Sequence, residues 1–167
     1  MTEKHMLSVL VEDKPGVMQR VSGLFRQRAF NIDSIAVGPC EKEGFSRITL
    51  VTSGDEKVLE QVRKQLEKLV EVIKVSEMNP DECVVRELAL AKIHAPTGAI
   101  RSEIIQYANI FRASVVDVGP ETLTIEITGD PDKIKAFLDM MKPFGIRELV
   151  RTGITSITRG ARLIEEV

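Results

Sequence analysis

Apolar positions in the first half of the chain follow two different periods. A run of apolar and β-branched residues from Met6 to Val11 is typical of a strand. After Pro15 the apolar residues recur at helical spacing, at Val17, Val21, Leu24 and Phe25. Two strands ("IDSIAVG" and "SRITLVTS"), a helix with the stripe Leu59, Val62, Leu66 and Leu69, and a fourth strand ("VEVIKVSE") are then predicted. The resulting order, β-α-β-β-α-β, is that of the ferredoxin-like split βαβ unit.

The same order repeats in the second half of the chain. Strands are predicted for "VVRELALAKIHA", "ASVVDVG", "TLTIEITG" and "IRELVRTGITSI", and helices for "IRSEIIQYANIFR" and "DPDKIKAFLDMMKPF". Gly54-Asp55 and Gly129-Asp130 each precede the second helix of their half. This shared position supports an internal duplication.

The turn-rich stretch "MNPDEC" marks the predicted boundary between the halves. We therefore predict an α+β chain of two tandem ferredoxin-like βαββαβ domains. The first covers residues 1–78, a linker covers 79–83, and the second covers 84–167, with a solvated tail from about Arg159.

Composition narrows the classes of function. Net charge is −2 with both signs interspersed, which does not fit the basic footprint of a nucleic-acid-binding protein. No apolar run approaches the ~20 residues of a membrane span, and charges lie close to the first apolar run, so no signal peptide is expected. The two cysteines, Cys40 and Cys83, are unlike a disulfide framework. A cytoplasmic location is the resulting expectation.

Residues that carry catalysis are scarce. The two histidines, His5 and His94, are far apart and have no acidic or cysteine neighbours at metal-ligand spacing. Phosphate-binding loops, dinucleotide-binding fingerprints and nucleophile elbows do not occur in the sequence. We therefore nominate neither catalytic residues nor a metal site.

The turn between the first strand and the first helix, Asp13-Lys14-Pro15-Gly16, is the main candidate site. The first N–H groups of a helix lack internal partners and favour a carboxylate. Gly16 lets a ligand approach the backbone, and Asp13 offers an acceptor for an ammonium group. Such a turn can hold both ends of an amino acid, with Val17 and Ile32 beside an aliphatic side chain. The same residues also make an ordinary strand-to-helix turn that binds nothing.

Asn31 and the strand that follows it have two interpretations. Asn31 either belongs to a binding site or is a turn residue that tolerates a left-handed conformation after the first helix. The strand "NIDSIAVG" is outermost in a βαββαβ sheet and has little charge beyond Asp33. An exposed edge of this kind favours pairing with a second copy of the chain in a two-fold dimer.

The sequence resembles a known family along nearly its whole length. The stretches "SVLVEDKPGVMQRVSGLFRQRAFNIDSIAVG" and "SRITLVTSGDEKVLEQVRKQLEKLVEVIKVSE" are similar to the small regulatory subunits of acetolactate synthase (acetohydroxyacid synthase), which begin with an ACT domain. In the second half, "RELALAKI", "NIFR", "VVDVG" and "RTGITSITRG" extend the resemblance. The resemblance implies that the first predicted domain is an ACT domain.

The resemblance also implies a function. Such subunits are non-catalytic, activate a thiamine-diphosphate-dependent large subunit in branched-chain amino acid biosynthesis, and confer allosteric feedback inhibition by valine. Thiamine diphosphate, Mg and FAD are then expected only on the large subunit. The effector lies where the ACT domains of a homodimer pair. Carried onto this sequence, the effector residues are Asp13, Lys14, Pro15, Gly16, Val17, Asn31 and Ile32. Many members have Asn in place of Asp13, so this carboxylate adds a charge to the predicted site.

Two other functions use the same order of elements. RNA-recognition modules stack bases on aromatic residues of their third strand, whereas "EGFSRITL" has Arg47 and Leu50 at those positions. A free-standing ACT-type amino-acid sensor that regulates another target is the remaining alternative.

Overall fold

The computed structural model describes residues 3–166, which divide into two compact units. The first unit holds the chain up to Val85 together with the segment from Ile154 onwards, and the second is Arg86–Gly153. The second unit is therefore an insertion between two parts of the first. The predicted division at 79–83 places the C-terminal segment with the second domain, whereas the structure groups it with the first unit.

The first unit contains the predicted βαββαβ order. Its strands are β1 (Glu3–Glu12), β2 (Ile32–Pro39), β3 (Phe45–Gly54) and β4 (Val72–Met78), and its helices are α1 (Val17–Gln27) and α2 (Glu56–Glu67). All pairs are antiparallel, and the sheet order is β2-β3-β1-β4. The strand β2 is therefore at an edge of the sheet.

Both helices of the first unit bury one apolar stripe on the sheet. Val17, Val21 and Phe25 of α1 and Leu59, Val62 and Leu66 of α2 join Leu7, Val9, Ile48 and Leu50 in one core. The Asp55 side chain caps α2 by accepting a hydrogen bond from the Val58 N–H at 2.9 Å. The predicted start of this helix is thus confirmed.

The second unit repeats the same architecture. Its elements are β5 (Cys83–His94, which begins in the first unit), α3 (Gly98–Ile110), β6 (Ser114–Val118), β7 (Thr122–Gly129), α4 (Pro131–Met141) and β8 (Ile146–Arg151). The sheet order β6-β7-β5-β8 corresponds strand for strand to that of the first unit. Asp130 caps α4 through the Lys133 N–H at 2.8 Å. The predicted tandem ferredoxin-like fold is confirmed.

The chain after β8 differs from the prediction. "IRELVRTGITSI" was predicted as one strand, but β8 ends at Arg151 and a short strand, β9 (Thr155–Thr158), follows. Gly153 separates them in a left-handed conformation with φ 84°, which a continuous strand does not tolerate. The predicted solvated tail is partly buried, because Ile164 packs with Met6, Val51 and Met78.

The predicted linker 79–83 is structured. Asn79 accepts a hydrogen bond from the Asp81 N–H at 3.1 Å and caps a short 3₁₀ turn, Pro80–Glu82. Cys83 then begins β5 and is buried in the same cluster as Ile164. The turn residues of "MNPDEC" therefore bend the chain from β4 into β5.

An ion pair closes the second unit where the chain enters and leaves it. The Arg151 Nε and Nη2 atoms donate to the two carboxylate oxygens of Glu87, each at 2.7 Å. The Leu88 N–H donates to the Thr152 Oγ1 at 3.1 Å, and the Thr152 N–H donates to the Leu88 carbonyl at 3.0 Å. These contacts hold the two ends of the insertion side by side.

Candidate functional site

Gly16 sets the geometry of the predicted turn. It immediately precedes α1 with φ 89° and ψ −8°, and no side chain caps the helix. A Cβ atom built on Gly16 meets no heavy atom within 4 Å. The helix therefore begins with backbone N–H groups that no side chain covers, under open space, at the positive end of the helix dipole. This geometry can hold a carboxylate.

The residues before Gly16 fix the turn to the rest of the sheet. The Asp13 N–H donates to the Gly44 carbonyl at 2.9 Å, whereas no hydrogen bond or ion pair of the described residues engages the Asp13 carboxylate. Lys14 Nζ lies 2.7 Å from a Glu12 carboxylate oxygen. This hydrogen bond raises the pKa of the Lys14 ammonium above its usual range. Asp13 is thus the exposed acceptor of the turn, and Lys14 is already paired.

A groove of about 640 Å³ runs from the turn along the two helices of the first unit. Its lining combines polar, cationic and apolar residues: Pro15, Gly16, Gln19, Arg20, Gly23, Leu24, Gln27, Gln65, Lys68 and Leu69. Arg20 Nη1 donates to Glu71, which anchors one wall. Pro15 and Gly16 border this groove, while Val17 is buried in the core with only 5% of its surface exposed. Val17 therefore packs α1 against the core and does not border the groove.

Asn31 takes part in a polar network at the start of β2. Its amide Nδ2 donates to the Asp33 carboxylate at 2.7 Å, and its carbonyl accepts from the Thr52 Oγ1 at 2.6 Å. The Ser53 hydroxyl donates to the other oxygen of Asp33. The left-handed residue after α1 is Ala29, with φ 55°, so the interpretation of Asn31 as the left-handed turn residue is wrong.

The structure places the two halves of the predicted site at opposite ends of one sheet. The turn contacts Gly44, just before β3 begins, whereas Asn31 contacts Thr52 near the end of β3. Eight residues of strand at about 3.3 Å each separate these contacts by about 26 Å. An amino acid cannot touch both segments within one chain. Ile32 is half-buried against the helix-side core, beside Asn31.

Three residues of this network were not predicted: Asp33, Thr52 and Ser53. The sequence placed Thr52 and Ser53 at the end of a strand, but only the register Ile32↔Thr52 brings them to the start of β2. Asp33 is the additional residue of a β-bulge, because the register shifts between Ile32 and Ser34. A strand pattern predicts neither register nor bulge.

The remaining candidate groups have structural contacts. The buried His5 ring donates through Nε2 to the Gly54 carbonyl at 3.1 Å. Cys83 is buried, and the Cys40 Sγ lies 3.6 Å from the Phe45 carbonyl oxygen. Within residues 3–166, no group of three or more His, Cys, Asp or Glu side chains is placed to hold a metal ion. No helix in the same range is long and apolar enough to cross a membrane.

Comparisons with known proteins agree with this architecture. Residues 7–74 match the family model of the AHAS small subunit-like ACT domain, and residues 86–160 match the model described as the small subunit of acetolactate synthase. The first match covers the sheet and helices that carry the turn, and the second covers the repeat.

Relatives and a solved structure extend the match over nearly the whole chain. The "Probable acetolactate synthase small subunit" of Methanothermobacter thermautotrophicus is 55% identical, over 96% of this chain and 95% of its own length. The "Acetolactate synthase small subunit" of Mycolicibacterium smegmatis is 53% identical, over 96% and 94%. The crystal structure of the acetolactate synthase small subunit from Thermotoga maritima superposes with a TM-score of 0.88 at 42% identity, covering 96% of this chain and 99% of that one. The chain therefore belongs to the acetolactate synthase small-subunit family.

Proposed function

We propose that this member of the family is a non-catalytic regulatory subunit. It binds the thiamine-diphosphate-dependent large subunit of acetolactate synthase, raises its activity and makes it sensitive to valine in branched-chain amino acid biosynthesis. Thiamine diphosphate, Mg and FAD belong to the large subunit in this proposal, and the complex is cytoplasmic. The observation that carries the proposal is the uncapped, open start of α1 at Gly16.

The proposed ligand is valine, whose charged groups match the turn. The Val17 N–H already donates to the Lys14 carbonyl at 3.4 Å, and the next N–H groups of α1, which no side chain caps, donate hydrogen bonds to the carboxylate. The exposed Asp13 carboxylate receives the ammonium group. The Asn31 amide, oriented by Asp33, lies in the other half of the site and supplies polar contacts. Ile32 presents an aliphatic surface to the valine side chain.

The 26 Å separation supports a site shared by two chains. The strand β2 is an edge strand, and its last residues pair with Arg47 and Ser46, at the end of the sheet that carries the turn. When β2 pairs antiparallel with β2 of a second copy, the first residues of one β2 lie opposite the last residues of the other. Asn31 and Ile32 of the second copy are thereby brought to the turn of the first. The proposed homodimer thus has two equivalent effector sites.

This arrangement explains how a small molecule regulates an enzyme. Valine bound between two chains stabilises one geometry of the pair. It shifts the complex only to the extent that it binds one state more tightly than another. Valine and the large subunit must then alter each other's affinity by the same factor.

The test is calorimetric titration of valine into the purified chain. We expect saturation at about one valine per chain, as two sites per dimer require. Gly16→Asp should abolish the binding, since its side chain and charge lie where the carboxylate binds. The matched control is Gly23→Asp, the same substitution two turns along α1 at another open position that lines the groove. It should still bind valine.

The alternative function, an ACT-type sensor of another target, is separated by a second measurement. A purified thiamine-dependent large subunit should bind the chain, and its activity should rise. Valine binding without any effect on that subunit would favour the alternative. An equally strong titration with Gly16→Asp would show that the turn is only the start of a helix.

A further inference from the structure

The β-bulge at Asp33 determines which way the following residues of β2 point. Without it, Ile32 and Ile35 would lie on opposite faces of the sheet, because successive residues alternate. The bulge places both against the helix-side core. Ser34 pairs with Val51, whose side chain lies in the cluster on the other face of the sheet. Ser34 therefore points away from the helices, two residues from Ile32.

The C-terminal segment, residues 154–166, covers that other face within the first unit. Ile164 is 7% exposed and packs with Met6, Val51, Met78 and Cys83. The Ser76 hydroxyl on β4 donates to the Ile164 carbonyl at 3.0 Å. The Glu165 carboxylate lies 3.4 Å from Arg47 Nη2 on β3. The segment thus makes contacts with β1, β3 and β4.

Ser34 connects the edge strand to the beginning of this segment. Its Oγ accepts a hydrogen bond from the Ile154 N–H at 2.8 Å. Ile154 is the first residue after Gly153, the left-handed residue at which the chain leaves the second unit. One hydrogen bond therefore joins the strand that carries Ile32 to the backbone at the exit from the second unit.

We propose that Ser34 is a positioning residue that couples the effector strand to the C-terminal segment. The proposal rests on the proposed function, because it requires a ligand at the start of β2. A ligand held by Asn31 and Ile32 restrains β2 next to the bulge, where the strand is least regularly paired. The Ser34–Ile154 hydrogen bond transmits that restraint, since its strength depends steeply on distance and angle.

Amide hydrogen exchange tests the link at the donor itself. In the wild-type chain, the Ile154 N–H should exchange slowly, and valine should slow it further. In Ser34→Ala the acceptor is lost, so the same N–H should exchange about 5- to 10-fold faster, the range that loss of one ordinary hydrogen bond gives. Valine should no longer change its exchange rate. Ser34→Thr keeps a hydroxyl and should restore both properties.

Ser76→Ala is the matched control. It removes a serine hydrogen bond to the same segment, but from β4 rather than from the effector strand. Its Ile154 N–H should keep the response to valine. In the assembled complex, the factor by which valine changes affinity for the large subunit should fall about fivefold in Ser34→Ala. Calorimetric affinity of the isolated chain for valine should remain close to wild type, which separates coupling from binding.

Several results would overturn the proposal. Unchanged Ile154 exchange in Ser34→Ala would show that the hydrogen bond does not hold this position. Equal loss of coupling in Ser34→Ala and Ser76→Ala would mean that general loosening of the segment is responsible. If wild type binds valine and its Ile154 N–H exchange slows, and Ser34→Ala shows the same slowing, the coupling through Ser34 is refuted while the proposed function stands. A wild-type chain that does not bind valine refutes the proposed function and the coupling with it.

Discussion

The two repeats share their order of strands but begin their first helices differently. In the first, α1 follows Gly16 in a left-handed conformation with no side-chain cap. In the second, the Thr97 side chain caps α3 by accepting from the Ile100 N–H at 3.3 Å. A helix start that its own side chain already satisfies is a poor site for a carboxylate. The two repeats thus share a fold, but only the first helix of the first repeat begins without a side-chain cap.

The fourth residue of each first helix strengthens this contrast. In α3 it is Arg101, whose guanidinium donates to the carbonyls of Ala95, Gly119 and Pro120 and joins the loops on both sides of the helix start. In α1 it is Arg20, which donates instead to the Glu71 carboxylate. The fourth helix residue therefore joins the loops around the helix start in the second repeat, whereas in the first repeat it contacts the residue before β4.

The largest expected effect on stability concerns the ion pair between Glu87 and Arg151 in the second repeat. Arg151→Ala leaves the Glu87 carboxylate, of which 4% is exposed, buried without its partner. Breaking a buried pair costs about 3–5 kcal/mol, and we expect about 3 because 42% of the Arg151 side chain is exposed. Urea unfolding of wild type and Arg151→Ala measures this loss as a difference in the free energy of unfolding. Lys92→Ala, which breaks the exposed pair with Glu148 on the same sheet, should cost less than about 1 kcal/mol. Equal effects would contradict the assignment of Glu87 as the critical buried charge.

A smaller effect is expected at the two equivalent arginines, Arg101 and Arg20. Arg101→Ala removes the donor of three backbone carbonyls and should lower stability by about 2 kcal/mol. Arg20→Ala removes the ion-pair partner of the Glu71 carboxylate, whose side chain is only 14% exposed, and should cost about 1–2 kcal/mol. The number of valine molecules bound per chain should stay the same in Arg101→Ala, because Thr97 still caps α3. A second valine per chain in this variant would mean that Arg101, and not the Thr97 cap, prevents valine from binding at the start of α3.

Local signals in the sequence predicted most of the fold. Helical spacing and the two Asp caps located the helices, and strand alternation located the sheets, because each depends on residues a few positions apart. The turn at Gly16 was predicted for the same reason. Contacts between distant residues left no such signal: Arg151 meets Glu87 across 64 residues, and Ile164 meets Ser76 across 88. The bulge at Asp33 depends on the register between two strands, which alternation alone does not determine.

The smallest expected effect compares the second helices of the repeats. On α4, Asp139 accepts hydrogen bonds from Lys135 at 2.8 Å and from Lys142 at 2.5 Å, and these contacts lower its pKa from 3.8 to about 2. On α2, the hydrogen bond from Lys64 lowers the pKa of Glu60 below its usual 4.5. A carboxylate whose pKa is lower in the folded state stabilises the fold above its unfolded pKa and loses that contribution as pH falls through the folded pKa. The contribution of Asp139 should therefore persist at more acidic pH than that of Glu60.

Thermal unfolding between about pH 2 and pH 6 tests this order. Asp139→Asn should melt slightly below wild type near neutral pH, and the difference should shrink as pH falls from 3.8 towards about 2. Glu60→Gln should lose its difference at a higher pH. Both differences should decrease in high salt, since all these side chains are largely exposed and salt screens exposed charges. If the two variants converge with wild type at the same pH, the folded pKa of Asp139 is not lower than that of Glu60, and the contacts of Asp139 with Lys135 and Lys142 do not lower it as described.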